Sequence, residues 1–221
     1  MVPYGIHPSD ELRELFASHE PPFQGQSPAK AKVIFVGIDA NYSAEISHAV
    51  DFFPRVLEYH RDGVAFWKRH GVHHPFLLSE YPLPRNTGGV PYHRRFAGMG
   101  LTPEYADDIS FVELLDVPTT GRTDRKRFWD LFSFEHAETL DRLFLEGSRR
   151  LVVISRAVVE LLHLTHQRHG LFSWADRDVK FGVFHEESET RFMKAKHFSA
   201  AMSSEELAML RNQIVEFCDS S

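Results

Sequence analysis

The chain has 221 residues, with 43% apolar and 25% charged side chains, the balance of a globular protein with room for a full hydrophobic core. No apolar run approaches the roughly 18–20 residues of a membrane span, and the opening MVPYGIHPSDEL lacks the basic and apolar regions of a signal peptide. The one cysteine, Cys218, excludes an internal disulfide and a Cys₄ zinc site. A cytoplasmic protein without a membrane partner is expected. The formal charge of −6 argues mildly against coating nucleic acid, although a local basic patch can act within an acidic whole.

In chain order, residues 1–30 predict a short amphipathic helix over Ser9–Phe16 and a Pro- and Gln-rich arm. KVIFVG (Lys32–Gly37) is a short apolar run closed by glycine, the pattern of a buried parallel strand. Pro54–His70 is helical in pattern, with Gly63 as a possible interruption, and residues 71–98 show no period. Ile109–Leu115 reads as a strand followed by a PTTGRT loop, and Glu135–Leu145 as a helix. RLVVIS (Arg150–Ser155) reads as a second buried strand, with a helix over Ala157–Leu164. Asp178–His185 and Thr190–Lys196 are the last strand candidates, and Ser203-x-x-Glu206 is a capping box opening the terminal helix. Strands alternating with helices predict one α/β domain over 1–221 with a largely parallel sheet.

Ligands of such sheets bind beyond the carboxyl ends of the strands. The first strand runs into Gly37-Ile38-Asp39-Ala40-Asn41-Tyr42-Ser43 and the last into His197-Phe198-Ser199-Ala200. An Asp and a His delivered by separate strand ends form an acid/base and electrostatic pair that needs no metal or cofactor. Two histidine sets, His70/His73/His74 and His163/His166/His169, lack a ligand pattern with acidic or thiol partners, so no metal is expected. Arg94-Arg95 and Arg122–Arg127 are basic clusters that read either as a solvated face or as phosphate contacts.

Three segments in order, VIFVGIDANYS, YHRRFAGMGLTPEYADDISFVELLDVPTTGRT and HFSAAMS, resemble the motifs of the uracil-DNA glycosylase superfamily. The pattern is closest to the mismatch-specific and thymine-type branch, and the similarity spans about residues 32–217. The resemblance implies a three-layer α/β/α fold and hydrolysis of the N-glycosidic bond of a deaminated or mismatched base in DNA during base-excision repair. No cofactor and no obligatory protein partner are implied.

Position by position, the resemblance makes Asp39 the group that positions the attacking water and steadies the sugar cation. His197 becomes the group that stabilises the departing base. It also implies that Gly37, Ile38, Ala40 and Asn41 line the substrate site and that Ser199 contacts phosphate. Tyr42, Tyr92 or Phe96 would stack on the base, and Glu113 would read its edge. Arg94, Arg95, Arg122 and Lys196 are the DNA-phosphate candidates. The chain departs from the pattern at Ala40 and Phe198, where the family has proline, and at Glu113, which when ionised only accepts hydrogen bonds. The same residues are compatible with a hydrolase of small nucleosides or nucleotides, or with a catalytically silent nucleic-acid-binding member.

Overall fold

The computed structural model describes residues 3–86, 88–176 and 178–220. Its centre is a mixed six-stranded sheet built from β2 (Phe23–Gly25), β3 (Val33–Gly37), β4 (Ile109–Glu113), β6 (Arg150–Ser155), β7 (Gly182–Glu187) and β8 (Thr190–Ala195), in the order β2-β4-β3-β6-β8-β7. The strands β4, β3, β6 and β8 run parallel, while β2 and β7 pair antiparallel at the two edges. A separate two-stranded ribbon joins β1 (Gly5–Ile6) to β5 (Thr119–Thr120).

The central strands are buried along their lengths, which is why VIFVG, ISFVE and RLVVIS are nearly unbroken apolar runs. Alternate residues face opposite sides. Ile34, Val36, Val112, Val152, Ile154 and Phe192 pack into one cluster with residues of α6 (Phe134–Leu145) and α7 (Arg156–His169). Val33, Phe35, Phe111, Leu151, Val153 and Met193 pack into another with residues of α4 (Val90–Ala97) and α8 (Ser204–Asp219). A third cluster joins α1 (Asp10–Ala17) to α2 (Phe53–Arg61) through Leu12, Phe16, Val56 and Tyr59.

Local chemistry sets the boundaries. Ser9 caps α1 by accepting from Leu12 N–H, and Ser203 and Glu206 form the reciprocal capping box of α8. The helical pattern over 54–70 divides at Asp62, which leaves the helical region (φ −156°) and caps α3 (Gly63–His70) by accepting from Ala65 N–H at 2.8 Å. Gly63 is required there because a Cβ would collide with the Gly25 backbone of β2.

Three expectations are corrected. The arm before Lys32 is an integral sheet edge, since Phe23, Gln24 and Gly25 pair with Val112, Phe111 and Ser110. The segment 71–98, without period in sequence, contains a 3₁₀ turn at Pro75–Leu77 and α4. PTTGRT contributes β5 rather than loop alone, and the basic run after it opens α5 (Arg125–Leu131), capped by Asp124. The final two strands form an antiparallel hairpin with a bulge between Val183 and His185, at the edge of a sheet that is largely parallel, as expected.

Candidate active site

Gly37 lies opposite Glu113, one residue beyond the Val36–Ile154 pair, and Ser155 lies opposite Ala195. The carboxyl ends of the four parallel strands are therefore level, and Asp39 and His197 each follow their strand by two residues. β6 separates β3 from β8, which sets their strands about 10 Å apart at a spacing of about 4.8 Å per strand.

Asp39 is held by three donors. Thr119 Oγ1 donates to Oδ2, Thr123 Oγ1 donates to Oδ1 at 3.2 Å, and Asn41 Nδ2 lies 3.3 Å from Oδ2. Asn41 Nδ2 also reaches Thr119 Oγ1 (3.0 Å) and Gly121 O (2.9 Å). Backbone bonds fasten this loop to β5: Tyr42 N–H donates to Thr119 O and Thr119 N–H to Ala40 O, both at 2.9 Å. Gly121, at φ 81°, turns the chain where a Cβ would strike the backbone of Pro3 and Tyr4. Because β5 pairs with β1, the N-terminal arm braces the Asp39 loop. The Tyr4 hydroxyl, buried and beside Asp39, is pushed up by burial and then by the carboxylate.

His197 accepts Ser199 N–H on Nδ1 at 3.1 Å, so its neutral ring carries the proton on Nε2 and presents a donor there. Burial lowers its pKa while the nearby Asp39 carboxylate opposes the drop. Tyr92 flanks the ring at 5.3 Å between centroids.

Glu113 ends β4, on the side of β3 away from β8, and its carboxyl leans over Gly37 beside Asp39. Its Oε2 is shielded from solvent and has no hydrogen-bond partner among the described residues. Burial, reinforced by Asp39, raises its pKa well above the ordinary carboxyl value. The shift favours the protonated form, which has one donor and one acceptor.

The sequence-derived candidates divide. Gly37, Ile38, Asp39, Ala40, Asn41 and Glu113 come together at the β3 and β4 ends, and His197 and Ser199 at the β8 end. Tyr42 and Phe96 do not belong to a stacking wall. Tyr42 is 2% exposed within the third core cluster, and Phe96 is 1% exposed, packed edge-on to Phe35. Tyr92 is the candidate aromatic placed beside His197. Arg94 and Arg122 are exposed. Arg95 instead donates to Phe198 O, fastening α4 to the last motif, and Lys196 pairs with Glu206.

The histidine sets disperse. His70 bonds to Glu58, and His163 and His166 donate from Nδ1 to Ala175 O and Leu171 O. Among the described residues no group of three or more His, Cys, Asp or Glu converges to hold a metal ion. His73 and His74 are instead buried with His60 and His93. His74 accepts Phe76 N–H on Nδ1 and so donates from Nε2 to Tyr42 Oη (3.3 Å), whose hydroxyl donates to His60 Nε2 (2.8 Å).

Sequence reasoning missed Tyr4, Thr119 and Thr123. The PTTGRT segment was visible as a motif, but only the β1–β5 pairing turns its hydroxyls toward Asp39. Among the described residues no helix is long and apolar enough to cross a membrane. Compared with known proteins, the chain matches no family model and no curated protein.

Proposed function

We propose that the protein is an N-glycosyl hydrolase of the uracil-DNA glycosylase type, a single domain of three α/β/α layers that removes a uracil-type base from DNA in base-excision repair. The observation that carries the reading is the placement of Asp39 and His197 on separate parallel strand ends, with the shielded carboxyl of Glu113 beside Asp39. Breaking the bond between sugar and base leaves positive charge on the sugar and negative charge on the base. The Asp39 carboxylate opposes the first and orients the water that adds to the sugar carbon. The Nε2–H of His197 opposes the second at a base oxygen. Such preorganised groups contribute about 3–4 kcal/mol each to the barrier.

Protonated, as burial favours, Glu113 matches the lactam edge of uracil or thymine, donating to the ring carbonyl and accepting from the adjacent N–H. The base must leave the helical stack to reach these groups. Arg94 and Arg122 supply phosphate contacts on an otherwise acidic protein. The reading is tested by chromatographic detection of free base released from oligonucleotides carrying uracil, a T·G mismatch, hypoxanthine or xanthine. Release of uracil or thymine is expected; release of none of the four contradicts the proposal. The net charge of −6 favours, as a second reading, hydrolysis of a free nucleotide, for which deoxyuridine monophosphate is the probe.

A further inference from the structure

The carboxyl ends of β6 and β8 frame a cleft of about 430 Å³ that shares His197 with the site above. Arg156 enters it from the start of α7, Arg125 from the start of α5, and Lys196 from the end of β8. Glu160 is the acidic residue of the lining and bonds both arginines, to Arg125 Nη1 at 2.7 Å and Arg156 Nε at 2.9 Å. These contacts keep it ionised by lowering its pKa. Three cations against one carboxylate leave the cleft basic, although Lys196 also leans on Glu206 of α8. Each guanidinium has five N–H donors, so the bond to Glu160 aligns the fork without exhausting it.

Two further features share this cleft. The first turn of α7 holds no acidic residue, and its N-cap Ser155 makes no side-chain bond to the turn, so the positive helix end is uncompensated where Arg156 and Ala157 line the wall. Phe181, 61% exposed, lies on the lining with Lys194 Nζ 5.3 Å from its ring centroid. An aromatic face left in water among cations is the combination that binds unpaired strands, with the charge holding phosphate and the ring stacking on a base.

We propose that this cleft seats a phosphodiester of single-stranded nucleic acid next to the nucleotide facing His197, with Phe181 stacking on the neighbouring base. The inference rests on the hydrolase reading for the position of the reacting nucleotide; the binding rests on the cleft. It selects unpaired strand over duplex, because a paired base is already stacked and cannot turn its face to Phe181.

The test is fluorescence anisotropy with a labelled oligothymidylate about ten nucleotides long, its duplex with oligoadenylate, and thymidine monophosphate as competitor. The single strand is expected to bind more tightly than the duplex. Arg156→Gln and Arg125→Gln should each weaken binding about tenfold and flatten the salt dependence by about 0.7 in slope. Phe181→Ala should weaken the single strand alone, by about tenfold. Glu160→Gln should tighten binding, a gain that misfolding cannot imitate. Equal affinity for duplex, affinity unmoved in these variants, or competition by thymidine monophosphate equal to that of the oligomer would overturn the proposal. Base release with variant-insensitive binding sinks this inference and leaves the hydrolase reading. Variant-sensitive single-strand binding without base release does the reverse.

Discussion

Gly37 and Glu113 are register partners across β3 and β4, and the Glu113 carboxyl occupies the space that a side chain at position 37 would fill. The glycine is thus what permits a carboxylic acid to lie against the strand end, shielded from water and beside Asp39. Gly37→Ala should displace the carboxyl and cost about 1–3 kcal/mol, a drop of about 2–4 °C in Tm for each kcal/mol. In the Gly37→Ala, Glu113→Ala double variant most of the added cost should vanish. Additive losses in thermal unfolding would show that the two residues do not compete for space.

Glu113 has a pH signature. Its folded-state pKa is raised from 4.5, so above that pH the unfolded chain releases a proton that the folded protein retains. Its contribution is therefore favourable at low pH and is lost as pH rises toward the folded value, at about 1.4 kcal/mol per unit. Glu113→Gln keeps the shape and removes the titration. The variant should gain stability over the wild type as pH rises from 4.5, and parallel stability curves would refute a raised Glu113 pKa.

The buried histidines act in the opposite sense. Burial lowers His60, His73, His74 and His93, with His60 and His93 down to about 3. Below the ordinary value of 6.5 the unfolded chain takes up protons that these rings refuse, so stability present at neutral pH is lost as pH falls. Four rings outweigh the single proton of Glu113, and Tm should decline steeply between pH 6.5 and 4. A Tm that stays flat to pH 5 would contradict the neutral cluster. Tyr42→Phe removes the hydroxyl that bridges His60 and His74, and should cost about 1–3 kcal/mol.

Thr119 is a positioning residue for Asp39, to which its hydroxyl donates. Thr119→Val should lower kcat roughly 10–100-fold with little change in KM, since a small misplacement of the carboxylate is felt at the reacting atoms. Thr119→Ser should restore most of the rate. A change confined to KM would place Thr119 in substrate binding.

The parts legible in sequence are those governed by local rules. The fully apolar runs at Val33–Gly37 and Arg150–Ser155 announce buried parallel strands, and Ser203 with Glu206 announces α8. The position of Asp39 and His197 just past strand ends is visible for the same reason. Periodicity does not disclose α4 (Val90–Ala97), which has eight residues, follows an N-cap, Gly89, without a side chain, and is crowded with rings. α5 was hidden because RKRFWDL buries Phe128 alone. Tyr42 and Phe96 were misplaced because an aromatic beside a motif faces either pocket or core according to the turn, and hydrogen bonding to His60 and His74 draws Tyr42 inward. The hold of Thr119 and Thr123 on Asp39 spans about 80 residues of chain and depends on β1, which no local pattern discloses.

The most direct measurement is alkali-induced strand scission of oligonucleotides carrying uracil or a T·G mismatch, after incubation with the wild type and with Asp39→Ala. The account predicts abasic sites with the wild type and a rate at least about a hundredfold lower in the variant, with both proteins folded. Scission that persists unchanged in Asp39→Ala, or none with the wild type on either substrate, would contradict it.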